Sequence, residues 1–418
     1  MPDTGATRHT HAFAQSADAL DREGVPVDAL VTAIGAFSVA IPTWALSAGG
    51  TRFGRFPVGG EPRDIVEKLH DAAVVKRLTA SANRVSLHIP WDEPTDAAAL
   101  RALGAELGLA FDAVNSNTFQ DQPGQRSSYR LGSFSNPDAA TRRQAVEHHL
   151  HVIDIGKSLG ADAITVWLAD GSSYPGQMSL RTSFERVLAC LREVYAALPD
   201  GWRLFTEHKP YEPAFYATVV QDWGSSLLLA QQLGERAQCL VDLGHHLPNT
   251  NIELVVARLL GCGKLGGFHF NDSKYGDDDL TAGSIKPYGL FLVFHELVQA
   301  ERESLPGFHP AYMIDQSHML KDPIEALLQT VDQLQIAYAK ALLVDQAALE
   351  AHQESGDVLM AENTLKRAFE TDVRPIVAEA RRRRGGATDP VAEFRLSGYR
   401  RQVTAARGDA VPVRSTGL

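Results

Sequence analysis

Three cysteines, Cys190, Cys239 and Cys262, are all that the 418 residues contain, and none forms a C-x-x-C pair. A set this sparse argues against a disulfide-stapled fold or a thiolate metal site and reads as buried free thiols in a reducing compartment. Long apolar runs are missing as well: none reaches the ~18 residues that a membrane span needs. The opening stretch MPDTGATRHTHAFAQSADALDREG has no apolar centre between a basic start and a small-residue cleavage site. It is not read as a secretory leader, and a cytoplasmic location is the expectation. Basic charge is also scarce, with 40 Lys and Arg against 51 Asp and Glu and a formal net charge of -11. A nucleic-acid backbone calls for a basic surface, so neither nucleic acid nor membrane is expected as a partner. The one basic run, Arg381 to Arg384, reads as a solvated helix end whose arginines suit the helix dipole.

What is present has the composition of a soluble globular protein, 44% hydrophobic and 22% charged. Eight short apolar segments recur: FSVAIPTW (37–44), RVSLHIPW (84–91), LAFDAVNSN (109–117), DAITVWLA (162–169), RLFTEHK (203–209), CLVDLGHH (239–246), LGGFHFND (265–272) and AYMIDQSH (311–318). Amphipathic stretches such as SFERVLACLREVYAAL and PIEALLQTVDQLQIAYAKALL separate them, which predicts a parallel sheet with helical crossovers. Eight repeats predict an α/β fold closed into a (β/α)8 TIM barrel over 36–340, with an open doubly wound sheet as the weaker option. Residues 1–35 read as an N-terminal extension with one short helical patch. Residues 341–418 read as a helical C-terminal extension of long helices, wrapping the barrel or joining subunits.

In nearly every segment the first half is apolar and the C-terminal end turns polar. His88, Asn115, Glu207, Lys209, Asp242, His245, His269, Asn271, Asp315 and Ser317 all fall there, and in a parallel barrel these ends share one rim. Glu207 and Lys209 are two apart and leave one strand face, as do His269 with Asn271 and Asp315 with Ser317. Asp277 and Asp279 alternate in what reads as an extended loop. Glu207, Asp242, His245, His269, Asp277, Asp279 and Asp315 therefore form a set of five carboxylates and two imidazoles. So many carboxylates share a small space only when cations neutralise them or protons do. Mixed oxygen and nitrogen donors point to Mn2+, Mg2+, Co2+ or Zn2+, and seven ligands suit two ions rather than one. DSKYGDDDL lacks the spacing of a calcium-binding loop. His208 and His246 face away from this set, Asp278 reads as solvated, and Asp272 reads as a turn former. Trp44, Trp91 and Trp167 read as core or as aromatic walls of a sugar site.

FTEHKPYEPAF, VDLGHH, GFHFNDSKYGDDDL and MIDQSHMLKDP together resemble the L-rhamnose isomerase family, in its broad-specificity bacterial branch, within the wider xylose-isomerase-like barrels. The likeness covers about residues 35–340. It implies an aldose–ketose isomerase, interconverting L-rhamnose and L-rhamnulose and related sugars by a metal-mediated 1,2-hydride shift. It also implies a homotetramer and two divalent ions per subunit. One ion would be held by Glu207, Asp242, His269 and Asp315, the other by His245, Asp277 and Asp279 with Asp242 shared. Lys209 would contact the oxygen on the sugar's first carbon, His88 would open the sugar ring, and Asp315 would steer a proton. Trp167 and Phe119, with Lys209 and His245, would contact the substrate. The Gly-rich stretch WALSAGGTRFGRFPVGG (44–60) reads as a flap, over its own or a neighbouring subunit's site, or as a plain surface excursion.

Two rivals stand beside this reading. A metal-dependent hydrolase or endonuclease collects similar residues on the same scaffold, although one acting on DNA would want a basic groove. A non-enzymatic sugar- or metal-binding barrel is the other, and the Glu207–Lys209 pair argues against it.

Overall fold

The computed structural model describes residues 4–47, 56–317 and 320–410. Eight parallel strands form its centre: β1 (Ala40–Pro42), β2 in two pieces (Arg84–Ser86 and His88–Ile89), β3 in two pieces (Ala110–Phe111 and Val114–Ser116), β4 (Ala163–Trp167), β5 (Arg203–Glu207), β6 (Ala237–Asp242), β7 (Leu265–Phe270) and β8 (Ala311–Ile314). Neighbours in sequence are neighbours in the sheet, and β1 closes the ring, with Ala40 in register with Met313 of β8 and with Arg84 of β2. Closure leaves no exposed sheet edge. Each predicted apolar segment supplies one strand, always shorter than the segment. His318 and residues 48–55 of the 44–60 stretch lie outside the described residues.

One helix follows each strand: α3 (Ile65–Thr79), α4 (Ala97–Leu107), α5 (Ala139–Leu159), α6 (Leu180–Ala196), α7 (Trp223–Leu233), α8 (Ile252–Gly261), α9 (Pro287–Arg302) and α10 (Pro323–Leu342). Their starts are written into the sequence. Asp64, Asp96, Asp138, Ser179, Asp222, Asn251 and Asp322 each accept a hydrogen bond from a backbone N–H of the first turn. Each such cap stabilises its helix by about 1 kcal/mol.

The barrel interior is filled by Ala40, Ala113, Ala163, Phe205, Leu240 and Met313, three small residues and three large ones. Gly266 is required beside that layer, since a Cβ there would stand 2.6 Å from the Phe205 ring. The main core lies between strands and helices, around Phe268, Phe270, Phe291 and Phe294.

The two ends of the chain differ from their sequence reading. The N-terminal extension is not one short patch but two helices, α1 (Thr4–Arg22) and α2 (Val27–Ala36). Leu20, Leu30, Val31 and Ile34 from them bury against Val373, Ile376 and Val377 in a core of their own. The C-terminal part is not built of long helices either. Gly356, the 371–373 junction and Gly398 help cut it into α11 (Gln346–Ser355), α12 (Val358–Glu370), α13 (Arg374–Arg383), α14 (Pro390–Ser397) and α15 (Tyr399–Arg407). Arg381 is not solvated: it is 4% exposed and bonds Asp332, Gln335 and the Ala387 and Thr388 carbonyls. Cys190 and Cys239 are buried as expected, whereas Cys262 sits exposed at the end of α8. Among the described residues no helix is long and apolar enough to cross a membrane.

Candidate active site

Strand register places the polar ends side by side. His88 pairs with Asn115, Trp167 with Glu207, and Asp242 with His269 across adjacent strands. They surround a cavity of about 590 Å³ at the C-terminal rim. His88, Phe119, Trp167, Glu207, Lys209, His245, His269, Asp277, Asp279 and Asp315, all singled out from sequence, line it. Asp242 completes the set from beneath, with no exposed surface of its own.

Glu207, Asp242, His269 and Asp315 converge so closely that one donor atom from each lies within 4.8 Å of all the others. His269 Nδ1 is 3.1 Å from Glu207 Oε1, 3.5 Å from Asp315 Oδ2 and 3.8 Å from Asp242 Oδ2. Other side chains hold the quartet in place. Trp44 Nε1 donates to Asp315 Oδ1 at 2.7 Å, and Asn271 Nδ2 reaches both Asp242 oxygens at 2.9 and 3.0 Å. The Gly244 N–H donates to Asp242 at 2.7 Å.

The electrostatics show crowding. Burial, reinforced by the Asp315 and Glu207 carboxylates, pushes the Asp242 carboxyl up to about 7. Burial with Asp277, Asp315 and Asp242 holds Asp279 well above the ordinary carboxyl range. At Glu207 burial acts upward, but His269 and His245 prevail and keep the group below its usual value. At His269 burial opposes the charged ring, and the Glu207 carboxylate outweighs it, lifting the ring to about 9. Hard oxygens and one imidazole, already converged, fit a divalent cation.

The expected second set is arranged differently. His245 Nε2 is 3.0 Å from Asp277 Oδ1, and Asp277 also pairs with the Lys209 ammonium. Asp279 instead bonds Ser317 Oγ at 3.3 Å. Among the described residues, the first quartet alone brings three or more such donors this close. The loop is also not extended, since Asp277 and Asp279 have φ of +53° and +50°, a left-handed geometry that Asp tolerates. Asp278, between them, is not simply solvated: it accepts the Lys274 and Tyr275 N–H groups at 2.7 and 3.0 Å. Asp272 acts as a turn former, accepting the Ser273, Ile285 and Lys286 N–H groups.

Aromatic rings build the opposite wall. Phe119 and Trp167 centroids are 4.7 Å apart, and His88 stacks on Trp91 at 4.2 Å. Burial drops the His88 pKa to about 3, so its ring is neutral at working pH. Beneath it, Asp92 accepts from the His88 N–H at 2.9 Å and from Lys68 Nζ at 2.5 Å. Sequence reasoning missed Asp92, Lys68 and the role of Trp44 on Asp315. Lys68 lies on a helix and Asp92 past a strand end, so no strand periodicity pointed to them. His208 and His246 do face away, packed on each other at 4.8 Å.

Residues 76–303 match the xylose isomerase-like TIM barrel family. The chain is similar to a probable sugar isomerase of Rhizobium meliloti, 58% identical over 398 residues that cover 95% of this chain and 93% of the relative. It is equally similar to a probable sugar isomerase of Mesorhizobium japonicum, 58% identical over 395 residues, 94% of this chain and 92% of that one. Among solved structures, L-ribulose 3-epimerase superposes with a TM-score of 0.53 at 16% identity, over 74% of this chain and 98% of that chain, a likeness of fold alone. The chain belongs to the xylose isomerase-like TIM barrel family.

Proposed function

We propose that the protein is a metal-dependent aldose–ketose isomerase. It interconverts L-rhamnose and L-rhamnulose and takes related sugars such as D-allose, L-mannose and L-lyxose. The observation that carries this reading is one cavity in which a converged carboxylate–imidazole quartet, a buried lysine and an aromatic wall face one another. The probable sugar isomerases at 58% identity support its isomerase half.

Glu207, Asp242, His269 and Asp315 would hold one divalent cation, Mn2+ by preference. His245, Asp277 and Asp279 would hold a second, with Asp242 shared. Held by these residues, such cations would supply Lewis-acid chemistry for the substrate's carbonyl and hydroxyl oxygens. Lys209 donates a hydrogen bond to the first-carbon oxygen, where negative charge builds. At this lysine burial acts against the charge, but Asp277 and Glu212 more than offset it, so the ammonium persists. The hydrogen on the second carbon passes to the first with its electron pair, and Asp315 guides the hydroxyl proton from one oxygen to the other. His88, neutral, would accept the proton of the anomeric hydroxyl and pass it to the ring oxygen as the bond between that oxygen and the first carbon breaks. Trp167 and Phe119 press on the carbon chain and exclude water. The working assembly is a cytoplasmic homotetramer, with the C-terminal helices wrapping the barrel or joining subunits.

Ketose should form from L-rhamnose in a coupled assay, stop on chelation and return with Mn2+. No metal-restored activity on any aldose retires the reading. In heavy water, little deuterium should enter the transferred position; substantial incorporation excludes the hydride shift and favours a cis-enediol.

A further inference from the structure

Lys68 of α3 reaches the substrate cavity from the helix layer and lines it beside Ser47, His88 and Trp91. The reaction as proposed does not use it. Its place in the sequence is unfavourable, since a cation near the start of a helix meets the positive end of the dipole. The fold holds it there nonetheless. Arg407 of α15 bonds both oxygens of Asp71 and the Glu67 carbonyl, which pins α3 on either side of Lys68.

Asp92 fixes the ammonium. Its Oδ1 accepts from Lys68 Nζ at 2.5 Å, and its Oδ2 accepts from the His88 N–H at 2.9 Å and from the Thr43 hydroxyl. Both carboxylate oxygens are thus taken. The ammonium has three hydrogens and, among the described residues, this one partner, which leaves two N–H groups for a ligand.

Position along the cavity identifies what they meet. Trp167 and Phe119 separate His88 from Lys209 on one wall, and the quartet with Trp44 does so on the other. Lys68, joined to His88 through Asp92, therefore stands at the end remote from Lys209. The isomerase reading, on which this inference rests, sets the sugar's first carbon at Lys209 and its ring oxygen at His88. The fifth carbon bears that oxygen, so the sixth carbon and its substituent come to Lys68.

Charge decides the class of substituent. Asp92 already balances the ammonium, and Glu207, Asp277, Asp279 and Asp315 line the same cavity, which disfavours a phosphate or a carboxylate. An amine carrying a charge would be repelled by Lys68. A neutral hydroxyl, accepting from Nζ, meets both conditions.

We propose that Lys68 is a specificity-determining residue, donating a hydrogen bond to the terminal hydroxyl of a hexose whose first carbon lies at Lys209. Beside a 6-deoxy sugar a water takes the same place, so both kinds of sugar are accepted and Lys68 sets the difference between them.

L-Mannose and L-rhamnose differ only in that hydroxyl, and comparing the two tests the proposal. In Lys68→Met the ratio of kcat/KM on L-mannose to that on L-rhamnose should fall at least about tenfold, the size of one hydrogen bond to a charged donor. Lys68→Met/Asp92→Asn, which leaves no unpaired carboxylate buried, should show the same fall. A merely structural role would lower both sugars alike, because damage to the fold is common to the two. An unchanged ratio overturns the proposal. Crystals of the natural protein soaked in L-mannose should place the 6-hydroxyl within hydrogen-bond distance of Lys68 Nζ, and a hydroxyl turned elsewhere overturns it as well. Calorimetric titration with both sugars keeps the two readings apart. Absence of turnover on either sugar retires the isomerase reading, and Lys68 then stands only if Lys68→Met binds L-mannose about tenfold more weakly relative to L-rhamnose. No binding of either sugar overturns it.

Discussion

Lys209 reaches across the cavity to Asp277, pairing with its carboxylate while its Nζ lies 5.1 Å from the centroid of the Trp167 ring. The ammonium is thus fixed between a carboxylate and a π face, with little freedom to reorganise during a reaction. Lys209→Met should lower kcat by about 10²–10³ and leave KM much less changed, because the lost interaction is strongest when charge develops on the substrate oxygen. Steady-state kinetics of the metal-loaded enzyme on its best aldose checks this. A loss confined to KM would assign Lys209 to binding alone.

Trp44 orients Asp315 through the 2.7 Å indole bond. Trp44→Phe keeps the ring and removes only the donor. Metal affinity or activity should fall about 10–100-fold, as it does when ligands lose an outer hydrogen bond. Titration of Mn2+ into chelator-treated protein reads this directly, and an unchanged affinity together with an unchanged kcat would refute it.

Arg407 ties α15 to α3. Its guanidinium contacts both oxygens of the fully buried Asp71 at 2.8 and 2.9 Å. Arg407→Met leaves that carboxylate buried with only the Tyr399 hydroxyl on it, and should cost about 3–5 kcal/mol in urea unfolding. Adding Asp71→Asn should recover part of the loss. A double variant no more stable than the single would show that packing, not charge, is responsible.

Glu379 fastens α1 to α13. Arg382, His9 and Arg383 bond its carboxylate, and Arg382 foremost holds it down at about 2. A group whose pKa is depressed on folding contributes stability that is complete above its unfolded value, roughly 4.3, and lost as pH falls toward the folded one. The gap in melting temperature between the natural protein and Glu379→Gln should therefore be constant above about pH 5 and shrink below about pH 4. A gap independent of pH would remove the carboxylate's charge from the explanation.

The strands and the rim were legible because two patterns coincide in the sequence: apolar first halves that fill the barrel, and polar last positions. Asp242 and His269 could be named because each lies at the C-terminal end of an apolar segment, and the ring of strands then placed them in register. The C-terminal extension was legible as helical but not where its helices break, and of the N-terminal pair only one short patch was legible, since α1 packs mainly on α13, some 350 residues on. Arg381 looked like a solvated charge for the same reason: Asp332 and Gln335, which bury it, lie on another helix. Which donors meet also stayed hidden. Spacing offers Asp277 and Asp279 equally, whereas left-handed backbone geometry at both sends one to Lys209 and His245 and the other to Ser317.

Sequence by itself therefore determined the α/β alternation, the helix caps and the identity of the residues on one rim, because local periodicity and capping chemistry act within a few residues. Only the tertiary structure decided that four donors converge within 4.8 Å and that Trp44 and Asn271 steady them. Those relationships join strands and loops far apart in the chain, and closing the barrel is what brings them together.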